Sequence, residues 1–81
     1  MLVGRADDAD IRLSDPRVSR RHLEIEVGAA SWIVRDLGAT NPAEVIAGGP
    51  PRRIRGTETL AAGQIGVGDS VLTLYPLEPL R

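Results

Sequence analysis

Arginines and hydroxyl residues gather in two short stretches at spacings that suit an anion. Arg5 follows Gly4, and Arg17, Ser19, Arg20 and Arg21 share the run Asp15-Pro16-Arg17-Val18-Ser19-Arg20-Arg21-His22. Further along, Asp36-Leu37-Gly38-Ala39-Thr40-Asn41 adds a second hydroxyl and an amide. Arginine presents a planar fork of N–H donors that matches phosphate or carboxylate oxygens. One charge-assisted hydrogen bond contributes about 1.5 to 3 kcal/mol, so a selective anion site needs several converging donors.

Other chemistries have less to stand on. Ser19 and His22 are three apart with nothing to suggest a nucleophile, base and oxyanion site, so no enzyme is expected. One histidine and no cysteine leave no metal centre, and no cofactor is expected. Gly63, Gly66 and Gly68 resemble a phosphate-binding loop only superficially, because no lysine follows and no helix is predicted there. A net charge of −1 and only two aromatic residues argue against a nucleic-acid partner.

Plainer readings of the same residues stay open at this level. All ten basic residues are arginine, which codon bias across a proteome also produces. The arginines could be solvated charge beside Asp7, Asp8, Asp10 and Asp15, and Ser19 and Thr40 could be turn residues bonded to local backbone. Asn41 before Pro42 is a common turn initiator.

The elements that must position these groups are short strands. His22-Leu23-Glu24-Ile25-Glu26-Val27 alternates apolar with charged residues, the period of a strand with one buried face, and ends at Gly28-Ala29-Ala30. Trp32-Ile33-Val34, stopped by Asp36-Leu37-Gly38, and Val71 to Tyr75, stopped by Pro76, are further β-rich runs. Weaker candidates are Leu2-Val3, Ile11 to Leu13, Val45-Ile46, and Arg52 to Arg55 after the Gly48-Gly49-Pro50-Pro51 break. Nine glycines and six prolines interrupt any helical repeat, so the chain reads as all-β, with Trp32 in its core. At 81 residues it reads as one domain, 1–81, and buries only about 60% of its unfolded surface, without disulfide support. The N-terminus lacks a basic start followed by an apolar stretch, and no run reaches membrane-spanning length; a cytoplasmic location and no membrane partner follow.

Val3-Gly4-Arg5, the Asp15 to His22 run, the Asp36 to Asn41 run and Gly68-Asp69-Ser70-Val71, taken in order, resemble the forkhead-associated (FHA) family from Val3 to Tyr75. The Arg-Val-Ser-Arg-Arg-His run is the specific part; a Gly-Arg pair or a Gly-Asp turn alone means little. The resemblance implies a β-sandwich of short antiparallel strands whose end loops bind phosphothreonine peptides. It implies Arg5, Ser19, Arg20 and Thr40 as phosphate contacts, and Arg17 and Asn41 as peptide contacts. By the same resemblance Gly4 and a buried His22 support the loop, and the partner is a phosphothreonine protein, either a Ser/Thr kinase or its substrate.

Two stretches depart from the family pattern. After Asn41 the family continues with glycine, a small polar residue and a second Asn-Gly, whereas this chain reads Pro42 to Gly49, and Pro42 restricts Asn41 to extended backbone. The family also carries two strands before its Gly-Arg, so the domain is expected to be N-terminally truncated with an open sheet edge. The function expected is therefore a phosphothreonine-binding adaptor in Ser/Thr kinase signalling. The alternative is a remnant of the fold that assembles through that edge without reading phosphate.

Overall fold

The computed structural model describes residues 1–46 and 49–77; Gly48 of the expected break lies outside the described residues. Among the described residues nine strands form: β1 (Leu2–Gly4), β2 (Ile11–Arg12), β3 (Leu23–Val27), β4 (Trp32–Asp36), β5 (Glu44–Ile46), β6 (Arg52–Arg53), β7 (Thr57–Leu60), β8 (Gly63–Val67) and β9 (Ser70–Leu74). One sheet runs β2-β1-β3-β4-β7 and the other β6-β5-β8-β9. All neighbours are antiparallel except β1 and β2, which pair in parallel over two residues each, a departure from the uniformly antiparallel expectation. Among the described residues there is no helix, and so none long and apolar enough to cross a membrane.

Each sheet turns one apolar row inward. In β3, Leu23 and Ile25 are fully buried while Glu24 is half-buried and Glu26 exposed, as a period of two requires. Val3 and Val34 join them from the first sheet, and Val45, Ile65, Val67 and Leu74 from the second. Three loop residues, Val18, Ala43 and Ile54, complete the core. The loop that holds the arginine-serine run is therefore fastened by a valine at its centre.

Two elements and one residue differ from what the sequence suggests. β7 carries exposed and half-buried residues, Thr57 to Leu60, with no apolar row to betray it. β8 is interrupted by glycine yet lies between β5 and β9, where Ile65 and Val67 are buried and the Ile46 Cδ1 stands 3.5 Å from where a Gly66 Cβ would lie. The Gly63-Gly66-Gly68 cluster is thus a strand and its turn. Trp32 is half-buried against the core rather than within it, with Nε1 donating to the Tyr75 carbonyl at 2.8 Å.

Gly4, the last residue of β1, sits where a side chain cannot. A Cβ there would stand 2.0 Å from the Arg20 carbonyl oxygen and 2.9 Å from that of Ser19. Those are backbone atoms, so relief requires the Ser19–Arg20 segment to move. Gly4→Ala is expected to cost about 3 kcal/mol or more, and about 4 to 8 °C of melting temperature per kcal/mol for a domain of this size. Thermal unfolding followed by circular dichroism checks this; a midpoint within 3 °C of the parent would show that the approach is not tight.

Candidate functional site

The segment from Leu13 to His22 crosses between β2 and β3 without regular structure, so its backbone must find partners elsewhere. They come from β1 and the residues after it. The Arg5 and Ala6 amides each donate at 3.1 Å, to the carbonyls of Ser19 and Arg20, while the His22 amide donates to Val3 at 2.9 Å and the Leu13 amide to Gly4 at 2.9 Å. The Val18 amide closes a turn onto the Asp15 carbonyl at 3.0 Å. The serine is thereby fixed on a strip of chain laid alongside the end of β1.

The donors on this strip are partly engaged and partly available. Arg5 is exposed, and its Nε donates to the Val18 carbonyl, which leaves both terminal nitrogens without a partner among the described residues. Ser19 Oγ accepts from the Thr40 amide at 3.3 Å, and its own proton remains to be donated. Among the described residues, nothing accepts from the Arg20 amide. Thr40 is exposed and meets Ser19 through its backbone. Asn41 Nδ2 donates to the Arg17 carbonyl at 3.2 Å, so the loop after β4 is stitched to the arginine-serine loop at two points.

Below this surface His22 is fully buried. Its Nδ1 accepts from the Ser19 amide at 3.0 Å, so that nitrogen is unprotonated and the ring proton sits on Nε2, which is buried without a hydrogen-bond partner. Burial pushes the imidazole below its ordinary value of 6.5, against an opposing pull from the Asn41 backbone and the carboxylates of Asp36 and Asp15. Asp36 lies at the end of β4, with Oδ2 accepting from the Gly38 amide at 3.0 Å and Oδ1 buried without a partner.

One set of supports was missed at the level of sequence. Asp15 joins the arginine-serine loop to the turn between β8 and β9: Oδ1 accepts from the Arg17 amide at 2.9 Å, and Oδ2 from the Asp69 amide at 2.5 Å and from Ser70 Oγ at 3.3 Å. These bonds, led by that from Arg17, hold the carboxyl below its ordinary value. Gly68 makes the approach possible. Its φ is +61°, and a Cβ there would lie 2.7 Å from Asp15 Oδ2 and 3.0 Å from Val18 Cγ2. An ordinary Gly-Asp turn thus seats the loop, and an aspartate seven residues before a histidine gives no signal of that partnership.

Among the described residues, no group of three or more His, Cys, Asp or Glu side chains could hold a metal ion. The site offers donors fixed on a rigid base and open to solvent, an arrangement suited to holding an oxyanion.

The FHA domain family model matches residues 1–65. The chain is 44% identical over 41 residues to the FHA domain-containing protein FhaB of Mycobacterium tuberculosis, a match that spans 51% of this chain and 26% of FhaB. It superposes on an FHA domain solved in a study of phosphothreonine-dependent FHA interactions with a TM-score of 0.80 and 32% identity, over 98% of this chain and 77% of that one. Against Mycobacterium tuberculosis EmbR, solved with a low-affinity phosphopeptide, the TM-score is 0.81 at 28% identity, over 99% of this chain and 20% of EmbR.

Because His22 must be neutral to accept from Ser19, its protonation opposes the loop. A folded-state pKa below the unfolded one means that the unfolded chain binds more protons between the two values. The stability His22 contributes is therefore complete above pH 6.5 and is lost as pH falls below that, by at most about 1.4 kcal/mol per pH unit, until the folded-state pKa is reached. With a single histidine in the chain, the effect is assignable. Denaturant unfolding between pH 8 and 5 is expected to show this decline in the parent and not in His22→Gln; equal slopes in both would remove the neutral imidazole from the loop.

Proposed function

The chain belongs to the FHA domain family, and on that premise we propose that it is a non-catalytic module that binds phosphothreonine peptides and acts as an adaptor in Ser/Thr kinase signalling. The observation that carries this reading is Ser19: its backbone is held by Arg5 and His22, its oxygen accepts from Thr40, and its hydroxyl proton is left for a ligand. A phosphate over Ser19 would take that proton, the two terminal nitrogens of Arg5 and the Arg20 amide. These donors match the three acceptor oxygens and about −1.5 to −2 charge of a phosphate near pH 7. Because each is already aimed, little conformational freedom is lost on binding. Thr40 borders the same phosphate, while Arg17 and Asn41, bonded to one another, face the peptide beside it. His22 and Gly4 act on the ligand only through the loop they shape.

The edge strand β9 supports a second reading. No strand pairs with its outer side among the described residues, and Val71 on it is 54% exposed. Such an edge can add a strand from another chain without any phosphate. Binding that is indifferent to phosphorylation favours this reading over the first.

The test is calorimetric titration with one phosphothreonine peptide, its unphosphorylated form and its glutamate mimic. Only the first is expected to bind, since glutamate offers a single charge and two oxygens. Arg5→Ala and Ser19→Ala are expected to weaken binding by at least about tenfold each, the loss of one charge-assisted bond. Arg21, exposed and paired with Asp8 at 3.6 Å, is the charge control, and Arg21→Ala should stay within about twofold of the parent. Melting curves accompany each variant, because Arg5 also holds Val18 and Ser19 also holds Thr40. Equal losses in Arg21→Ala and Arg5→Ala would replace the defined site with diffuse attraction.

A further inference from the structure

Among the described residues four strands form the sheet edges: β2 and β7 in the first sheet, β6 and β9 in the second. An edge offers unpaired N–H and C=O groups to any other strand, and soluble proteins blunt it with shortness, charge or proline. Three of the four edges are blunted in that way. β2 has two residues, one of them Arg12; β6 is the pair Arg52–Arg53, preceded by Pro50 and Pro51; and β7 carries Glu58, paired with Arg52 at 2.8 Å. β9 is different. It is five residues long, and the run from Ser70 through Tyr75 contains no charge, proline or glycine.

The residues of this run are sorted between two faces. Leu72 and Leu74 turn toward the core, whereas Val71, Thr73 and Tyr75 alternate with them and are exposed, Val71 by 54% and Tyr75 by 73%. The Tyr75 carbonyl accepts the Trp32 indole N–H at 2.8 Å, which holds the end of the run in place, and Pro76, with no N–H to donate, closes it. Thr73 is the midpoint between Val71 and Tyr75. Paired antiparallel with a second copy about Thr73, the run sets Val71 against the partner's Tyr75 on the outer face and Leu72 against the partner's Leu74 on the inner face. The first is a β-branched residue against an aromatic one, a favourable cross-strand pair, and the second carries the apolar core across the axis. No like charges meet, whereas the same operation on β6 would bring arginines together.

We propose that β9 is the interface of a two-fold dimer, in which the β9 strands of two copies of this chain pair antiparallel about Thr73 and join their four-stranded sheets into one. The strand complements itself, so the pairing closes on two copies and uses up both edges. Unlike the second reading above, this leaves the phosphate site in use. β9 starts at the turn where Asp69 and Ser70 hold Asp15, beneath the arginine-serine loop, so an antiparallel partner carries its own loop to the opposite end of the joined sheet. Such a dimer bridges two phosphothreonine proteins. That role rests on the phosphate-site reading; the dimer itself does not.

The test is sedimentation equilibrium on the full 81-residue chain. One strand against another buries an area at the low end for specific interfaces, so a dimer with a dissociation constant on the order of 10 µM is expected, and no larger species. T73K and T73D change an exposed position on the axis and set like charges opposite each other. Each is expected to weaken the dimer about tenfold or more while melting like the parent at concentrations where both are monomeric. Mixed in equal amounts they set lysine against aspartate and pair at least as tightly as the parent, a rescue that damage to either fold would not give. T59K, at an exposed threonine on β7, keeps the dimer. A parent that stays monomeric through about 200 µM, well above that constant, overturns the proposal and leaves the edge to a strand of another protein. Assembly beyond two copies, undiminished pairing in T73K, or failure of the mixture to pair overturns it as well. Phosphothreonine peptide is expected to bind T73K as it binds the parent; absence of that binding in both removes the bridging role and leaves the dimer standing.

Discussion

The structure depends on how closely two backbones can lie together. The carbonyls of Ser19 and Arg20 pass within the space that a Gly4 Cβ would fill, and their hydrogen bonds to Arg5 and Ala6 exist only because they do. A loop of ten residues, Leu13 to His22, without regular structure would ordinarily sample many conformations, at about 1 to 2 kcal/mol of backbone entropy per residue fixed. Here the restraints come from four directions: β1 alongside, Val18 in the core, His22 beneath, and Asp15 tied to the β8–β9 turn. The proposed function relies on that confinement, because exposed donors are selective only when their relative positions are held.

Much of this was legible in the sequence, and the part that was not has a physical cause. The period-two alternation of β3 and the β-rich stretches at β4 and β9 are properties of single strands, so they show without knowledge of neighbours. The four motifs, read in order, pointed to the FHA family and to its β-sandwich. β7 and β8 escaped because their strand character is contributed from outside: β8 is a strand by virtue of β5 and β9 on either side and tolerates Gly66 because Ile46 covers the gap. The partnership of Asp15 with Asp69 and Ser70 spans more than fifty residues, and an aspartate before a proline looks like any turn former. Trp32 read as core by residue type alone, whereas its indole N–H needs a polar partner and finds the Tyr75 carbonyl at the margin.

An arginine-only complement of basic residues says little about any one of them, and the structure divides them by what they touch. Arg12, Arg21, Arg35 and Arg52 face carboxylates at the surface, where such pairs contribute about 0 to 1 kcal/mol. Arg5 differs in kind. One face of its guanidinium is fixed by a backbone carbonyl within the loop it serves, and a half-engaged guanidinium loses less freedom when an anion arrives than a fully mobile one does. The same reasoning applies to Ser19, whose oxygen is already bonded to the Thr40 amide.

His22 ties the geometry of the loop to the core of so small a molecule. A neutral imidazole under the loop satisfies the Ser19 amide, but it leaves Nε2 buried without a partner, a cost of about 1 to 3 kcal/mol for an unpaired polar group. A purely apolar residue would avoid that cost and leave the Ser19 amide unpaired instead, at a similar penalty. The difference lies in geometry: the imidazole fixes the direction of the Ser19 amide, and with it the side chain that the next contacts, Thr40 and Arg5, are arranged around. The buried histidine is therefore a spacer of defined length and polarity between the core and the loop. Its chemistry reaches the surface only through the serine above it.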